Sequence, residues 1–342
     1  MKYIFPACIF ILLVSCGAPA SENTRAFYYW QSDFHLDGQE KQLLSDLGIR
    51  QLYIKFFDVE WDEQNSQPSP TALIRFHDPL PGGMHYVPVI FITNQCMEAI
   101  PDDGINELAL RISRLLSALM QQGKLPAPHM IQLDCDWTQA TREKYFTLID
   151  CLKKYPGWKN ITWSATIRLH QVKFADLTGV PPVDRGMLMF YNMGDIENMH
   201  AVNSIYEKNI AARYTDAIAG YPLPLDAAVA CFSWGLLFEQ GKLYHIFYPL
   251  YPYELKSDTA FIPGGENYFA ARHSMFFHGT FLNAGDSIKL ETMTPERSRE
   301  SAVQLASHLK TGGRDVILYH LDSVISEQYG EKDFEHIFRA FH

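Results

Sequence analysis

Met130-Ile131-Gln132-Leu133-Asp134-Cys135-Asp136-Trp137-Thr138 is the stretch on which the fold turns. Its residues alternate in character, and a strand sends alternate side chains to opposite faces. Ile131, Leu133, Cys135 and Trp137 make one face apolar, fit to lie under helices. Gln132, Asp134, Asp136 and Thr138 make the other face polar. A row of acids inside a protein requires cations, donors, water or a ligand. The stretch therefore reads as a strand with an apolar outer face and a polar inner one, which is the pattern of a barrel wall.

Seven further runs have strand character: Phe27–Gln31, Gln51–Val59, Tyr86–Thr93, Ile161–Ile167, Gly186–Asn192, Asp226–Trp234 and Asp315–Leu321. Helical spacing of apolar residues separates most of them, at Gln39–Leu47, Gly104–Gln122, Thr138–Lys154, Gln171–Leu177, Asn203–Ala219 and Pro295–Lys310, and Lys332–Phe341 follows the last. Short buried strands alternating with helices predict an α/β protein, a (β/α)8 TIM barrel. The alternation lapses twice. Glu60–His85 has no helical pattern. Between Trp234 and Pro295 lies a long insertion, within which Ser274–Thr292 reads as a β-hairpin turning at Asn283-Ala284-Gly285.

The chain of 342 residues is 47% hydrophobic and 20% charged, enough apolar material for one large core. A net charge of −10 and the lack of a Lys/Arg cluster argue against a nucleic-acid partner. Aromatics at 13% suit a core and also a surface on which sugar rings stack. The cysteines show no CxxC spacing and no paired-histidine pattern, so no metal and no cofactor is expected. Cys135 and Cys231 read as small buried hydrophobes.

At the N-terminus, Met1-Lys2 precedes an apolar run from Ile4 to Val14, shorter than a membrane span. It ends in Leu13-Val14-Ser15-Cys16-Gly17, which resembles the bacterial lipobox. That resemblance implies a signal peptide over residues 1–16, lipidation of Cys16, a tether over 17–25 and a single barrel domain over 26–342. The expected location is the bacterial cell envelope, with the chain held to a membrane by the lipid on Cys16.

Barrel enzymes place reacting groups at the C-terminal ends of strands. Those ends carry Trp30 and Gln31, Asp58 and Glu60, Asn94, Asp134 and Asp136, Arg168 and His170, Tyr191, Asn192 and Asp195, Ser233 and Trp234, and His320 and Asp322. Asp134 and Asp136 are the sharpest pair, Asp136 at the mouth and Asp134 one layer down, with Lys55 as the candidate partner for the deeper acid. Trp30, Tyr191 and Trp234 are candidates for stacking on sugars; each also reads as core or rim packing. Gln31, Asp58, Asn192, Arg168, His320 and Asp322 complete the candidate ligand contacts.

Leu133-Asp134-Cys135-Asp136-Trp137 resembles the fourth-strand motif of the family 18 glycoside hydrolases, the chitinase-like barrels, roughly D-G-x-D-x-D-x-E. Met189-Phe190-Tyr191-Asn192 resembles their sixth-strand M-x-Y-D. The resemblance implies a glycosidase-type barrel, a carbohydrate ligand and site roles for Asp134, Asp136 and Tyr191. The pattern is broken at three positions. Its first Asp falls on Ile131, its closing Glu on Thr138, and the Asp after the sixth-strand Tyr on Asn192. In that family the Glu protonates the leaving group, and a threonine cannot do so. A second resemblance, through Phe27–Trp30, Leu52–Asp62 and Ile131–Trp137, is to a bacterial family, the domain of unknown function 3142, grouped with glycosidase-type barrels. Two readings stay open: a glycoside hydrolase with Asp136 as acid/base, or a non-catalytic barrel that binds a glycan or a protein.

Overall fold

In a computed structural model, which describes residues 23–265 and 267–342, eight strands run parallel: β1 (Thr24–Tyr29), β2 (Gln51–Asp62), β3 (His85–Ile92), β4 (Met130–Asp134), β5 (Thr162–Arg168), β6 (Arg185–Met189), β7 (Leu225–Ala230) and β8 (Asp315–Tyr319). Each pairs with the next, and β8 pairs with β1, so the sheet closes into a barrel. The (β/α)8 expectation holds. The cause is the alternation seen in sequence. On β1, Phe27 faces outward and meets Phe334 and Phe338 edge-on, while Tyr28 faces inward. Just past β4, Trp137 lies outward and stacks on Tyr145 at 5.3 Å.

The helices wrap the barrel where the sequence signals them. Helix α1 (Gly38–Asp46) starts at Asp37, which forms a capping box with Glu40. Helix α2 (Ile105–Gln122) buries Leu108, Ile112, Leu116 and Leu119. Helix α3 (Arg142–Lys153) follows β4; α4 (Pro295–Ala306) is capped by Thr294 with Pro295 in its first turn. Helix α5 (Glu331–Arg339) buries Phe334, Ile337 and Phe338. No helix of the described residues is long and apolar enough to cross a membrane.

The barrel floor, at the N-terminal strand ends, is closed by polar locks. The Asp315 carboxylate accepts from Tyr53 Oη and Gln51 Nε2, both at 2.6 Å. Asp226, fully buried, accepts two bonds from the Arg185 guanidinium and one from the Asp315 amide. In the middle layer Tyr28 Oη donates to Gln132, whose amide donates to Ser164 at 3.1 Å.

Several boundaries differ from the sequence reading. Thr24 and Arg25 already belong to β1, so the tether read as 17–25 ends before them. The signal segment, Cys8 and Cys16 lie outside the described residues. In the helix-free second connection, β2 continues to Asp62 and folds back antiparallel as Gln67–Thr71. The helix read over Asn203–Ala219 forms only at Lys208–Thr215, because Asn203 Oδ1 takes the amides of Ile205 and Tyr206 into a turn. The seventh run is two strands: β7 stops at Ala230, and Ser233–Glu239 opens the insertion.

That insertion is larger than a hairpin. Lys242–Phe247, Ser233–Glu239, Ser287–Thr292, Tyr268–Ala271 and Phe261–Pro263 form a five-stranded antiparallel sheet in that order. It has its own core, including Leu237, Phe247, Leu250, Phe269 and Ile288. The hairpin is Met275–Phe277 with Thr280–Leu282, turning at His278-Gly279 rather than at residues 283–285. The chain does bend at Asn283, where Asp286 Oδ2 holds the Asn283 amide, but the strands on either side join different sheets. Pairing across a sheet is not encoded in the turn residues alone.

Candidate functional site

The mouth is built at the C-terminal ends of β1, β2, β4, β5, β6 and β8. Register decides its charges. β4 pairs with β5 so that Leu133 stands opposite Ala165. Three residues on, Asp136 therefore meets Arg168. Nε and Nη2 of Arg168 donate to the two Asp136 oxygens at 2.6 Å each. Burial works against the charge on Arg168, but the bonds to Asp136 together with the negative charges of Asp136 and Asp134 outweigh it and raise the guanidinium above its ordinary value. Asp136 remains about 44% exposed at the mouth, and Arg168 about half of that.

Asp134 sits one layer down and is buried. Its Oδ1 accepts from Thr166 Oγ1 at 2.6 Å. Burial, reinforced by the negative charge of Asp136 and opposed by the Thr166 hydroxyl, pushes its carboxyl up to about 6.

Lys55 is not the partner of Asp134. A bulge at Phe56 shifts the β2 register, so Lys55 pairs with Val89 and Phe57 with Ile90. The extra residue turns Asp58 inward, onto the face of Lys55. Lys55 Nζ donates to Asp58 Oδ2 at 3.0 Å and lies 5.8 Å above the Trp30 ring. Burial raises the Asp58 carboxyl and the bond from Lys55 opposes it. Asp58 Oδ1 is buried without a hydrogen-bond partner.

The aromatic residues form one cluster centred on Tyr319, which the sequence reading did not single out. Tyr191 stacks on it at 5.3 Å; Trp30 and Tyr28 lie at 5.5 Å and Phe232 at 5.7 Å. The period-two phase of β8, with Asp315 and Ile317 inward, points to Tyr319 as the next inward residue. Burial holds the hydroxyls of Tyr28, Tyr191 and Tyr319 well above the usual tyrosine range. Tyr191 Oη and Asn192 Oδ1 have no partner, and Asn192 adopts a left-handed backbone at φ 52°.

The remaining candidates divide. Trp30 is half-buried and faces the mouth; Gln31 is exposed beside it. Trp234 is no stacking surface: its ring is buried and its indole N–H donates to Glu291 at 2.9 Å. The same Glu291 oxygen accepts from the Ser204 amide and hydroxyl, and Lys289 Nζ stands 2.7 Å from the other. This buried knot ties the insertion to the loop after β6. His320 Nε2 is buried, 3.8 Å from Asp322 Oδ2; burial lowers the imidazole from its usual range against the pull of Asp322. Asp322 is taken by Tyr251 Oη and the Val324 amide. Asp195 is exposed and holds the Glu197 amide, and Asn94 holds Thr141, so neither reaches the centre. His170 is exposed.

Two insertion tyrosines close one side of the mouth. Tyr248 packs on Phe232 at 5.3 Å and on His320 at 5.6 Å, and Tyr251 bonds Asp322. The other side, with Trp30, Asp136 and Arg168, stays open. Thr138, which the motif resemblance sets against the family 18 acid, lies past the end of β4. Its Oγ1 accepts from the Ala140 amide at 3.3 Å and its own amide donates to Thr141. The open half thus offers a partly exposed aromatic ring, an ion pair and buried acceptors without partners. Asp136, the partly exposed acid of this half, is held by a cation.

No protein-family model and no curated protein sequence matches the chain. Solved structures do. The spore cortex-lytic enzyme SleL of Bacillus cereus superposes with a TM-score of 0.51 at 12% identity, over 94% of this chain and 75% of its own. A chitinase from Chromobacterium violaceum gives 0.52 at 10% identity, over 93% and 98%. A variant of group II chitinase catalytic domain 2 from Ostrinia furnacalis, in complex with (NAG)5, gives 0.50 at 13% identity, over 93% and 96%. At such identities the likeness speaks for architecture: the chain has the closed eight-stranded parallel barrel of the chitinase-like proteins.

Proposed function

We propose that the protein is a lipid-anchored envelope protein that binds a glycan at the barrel mouth without the hydrolytic step of the family 18 enzymes. The observation that carries this reading is the fork between Arg168 and Asp136. A general acid must present a proton to the glycosidic oxygen. Both Asp136 oxygens instead accept from a guanidinium, and the Thr138 hydroxyl is engaged by the backbone. Trp30 supplies an apolar ring for a sugar face, and Asp58, Tyr191 and Asn192 supply acceptors for hydroxyl or amide donors. The likeness to chitinase-like barrels and the motif around Asp134 support a carbohydrate ligand. The resemblance to the domain of unknown function 3142 agrees with an envelope protein on such a barrel.

The test is calorimetric titration with N-acetylglucosamine oligomers and peptidoglycan fragments, beside a turnover assay on chitooligosaccharides. Binding without turnover is expected, and Trp30→Ala is expected to weaken it about tenfold through loss of one stacking contact. Turnover abolished by Asp136→Asn would replace this reading with the hydrolase one. The raised carboxyl of Asp134 favours that second reading, since an acid poised near neutrality is the usual equipment of proton transfer. Absence of binding to every glycan would remove both.

The anchor is proposed from the lipobox-like sequence. β1 starts at Thr24 on the barrel face opposite the mouth, eight residues after Cys16. Cys16→Ser is expected to move the protein from the membrane fraction to the soluble fraction in cells; retention in the membrane would count against the anchor.

A further inference from the structure

The missing helix after β2 leaves a second place where a ligand fits. The bulge at Phe56 that turns Asp58 inward also turns Phe57 and Val59 outward. In a complete (β/α)8 barrel a helix would lie over them. Here part of that place is taken by the returning ribbon Gln67–Thr71, whose Pro68 and Pro70 cannot donate backbone hydrogen bonds to a further strand. Between this ribbon and helix α2 lies a cleft of about 260 Å³. Phe57 and Val59 form its floor, the two prolines one wall, and Leu108, Ile112 and Leu115 the other. The lining is almost wholly apolar.

Its polar equipment is of one sign. Arg111 and Arg114, on the turns of α2 between the wall leucines, stand at the cleft, and no acidic side chain lines it. An apolar cleft with two guanidinium groups beside it matches an aliphatic chain ending in an anion. Guanidinium holds a carboxylate by charge-assisted, two-point bonds. The volume is roughly that of nine water-sized units, each close to one methylene.

We propose that this cleft binds a medium-chain fatty-acid carboxylate, its chain between the prolines and α2 and its headgroup on Arg111 and Arg114. This site is separate from the barrel mouth and independent of the glycan reading.

Calorimetric titration of the protein with hexanoate, octanoate, decanoate and dodecanoate, each below its micelle concentration, tests it. Affinity is expected to rise about fourfold per added methylene until the cleft is full, then to level off. Decanol is expected to bind at least tenfold more weakly than decanoate, since it lacks the anion. Arg111→Glu with Arg114→Glu is expected to cost decanoate at least tenfold. Leu115→Trp, which fills the slot from a half-buried position, is expected to abolish binding in a protein with unchanged circular dichroism, and serves if the double charge reversal does not fold. Equal affinity for decanol and decanoate, affinity that ignores chain length, or binding that survives Leu115→Trp would overturn the proposal. So would concentration-dependent dimerisation lost in Leu115→Trp, which would assign the cleft to a second copy of the chain.

Discussion

Lys289→Met is expected to lower the unfolding free energy by about 3–5 kcal/mol, the usual cost of leaving one member of a buried ion pair alone. Both side chains are shielded almost completely, Lys289 at 2% exposure and Glu291 at none. Three donors converge on Glu291 Oε2, from Ser204 and Trp234, while Oε1 faces Lys289 alone. Without the ammonium, Oε1 has no compensating group in an interior of low dielectric. The Ala201 carbonyl also loses the Lys289 donor. Urea unfolding of the wild type and the variant measures the loss. Adding Glu291→Gln should recover most of it, because the glutamine carbonyl still accepts from Trp234 and Ser204 while the uncompensated charge is gone. If the double variant is no more stable than Lys289→Met, burial of charge is not the cause. The effect should be visible first in the insertion, which has a separate core.

The second large effect concerns Asp134 and pH. Its folded carboxyl titrates at about 6, against an ordinary value of 3.8. The folded state therefore holds the proton more tightly than the unfolded chain does. Between about pH 4 and about pH 6 the folded state has more protons bound at this site, so stability falls as pH rises through that window. Above it the penalty is complete, on the order of 3 kcal/mol. Asp134→Asn keeps the acceptor for Thr166 and removes the charge. It is expected to stabilise the protein by about that amount at pH 8 and to change little below pH 4. Urea midpoints collected from pH 4 to pH 8 should converge at the acid end and diverge at the alkaline end. Parallel curves would show that Asp134 is not desolvated as the geometry implies. A gain in stability on removing a mouth residue is the pattern of a group kept for function.

The barrel was legible because its signal is local and repeated. Alternation in Met130–Thr138 assigns Gln132 and Asp134 to the interior and Leu133 and Trp137 to the helix side without reference to any other strand. The helices were legible through caps at Asp37 and Thr294 and through the apolar stripe of α2. Boundaries were less so. Asp226–Trp234 is one apolar run in sequence, and nothing local marks the break after Ala230, where the chain leaves the barrel for the insertion sheet. The hairpin read at residues 283–285 placed a turn where a turn exists and mistook which strands it joins.

The candidate site shows the same division more sharply. Sequence alone determined the (β/α)8 architecture and the polar inner face of β4, because these depend on side-chain type and on a period of two. Partnership was decided by the tertiary structure. Lys55 pairs with Asp58 and not Asp134 because a bulge at Phe56 inverts the phase of β2. Arg168 closes on Asp136 because β4 and β5 pair in a register that sets their ends side by side. Trp234 turns from a sugar platform into a donor for Glu291, 57 residues away in the chain. A charge or a ring has its chemistry from its own atoms. The hydrogen bonds and the burial that set its use depend on a strand register that no single segment encodes.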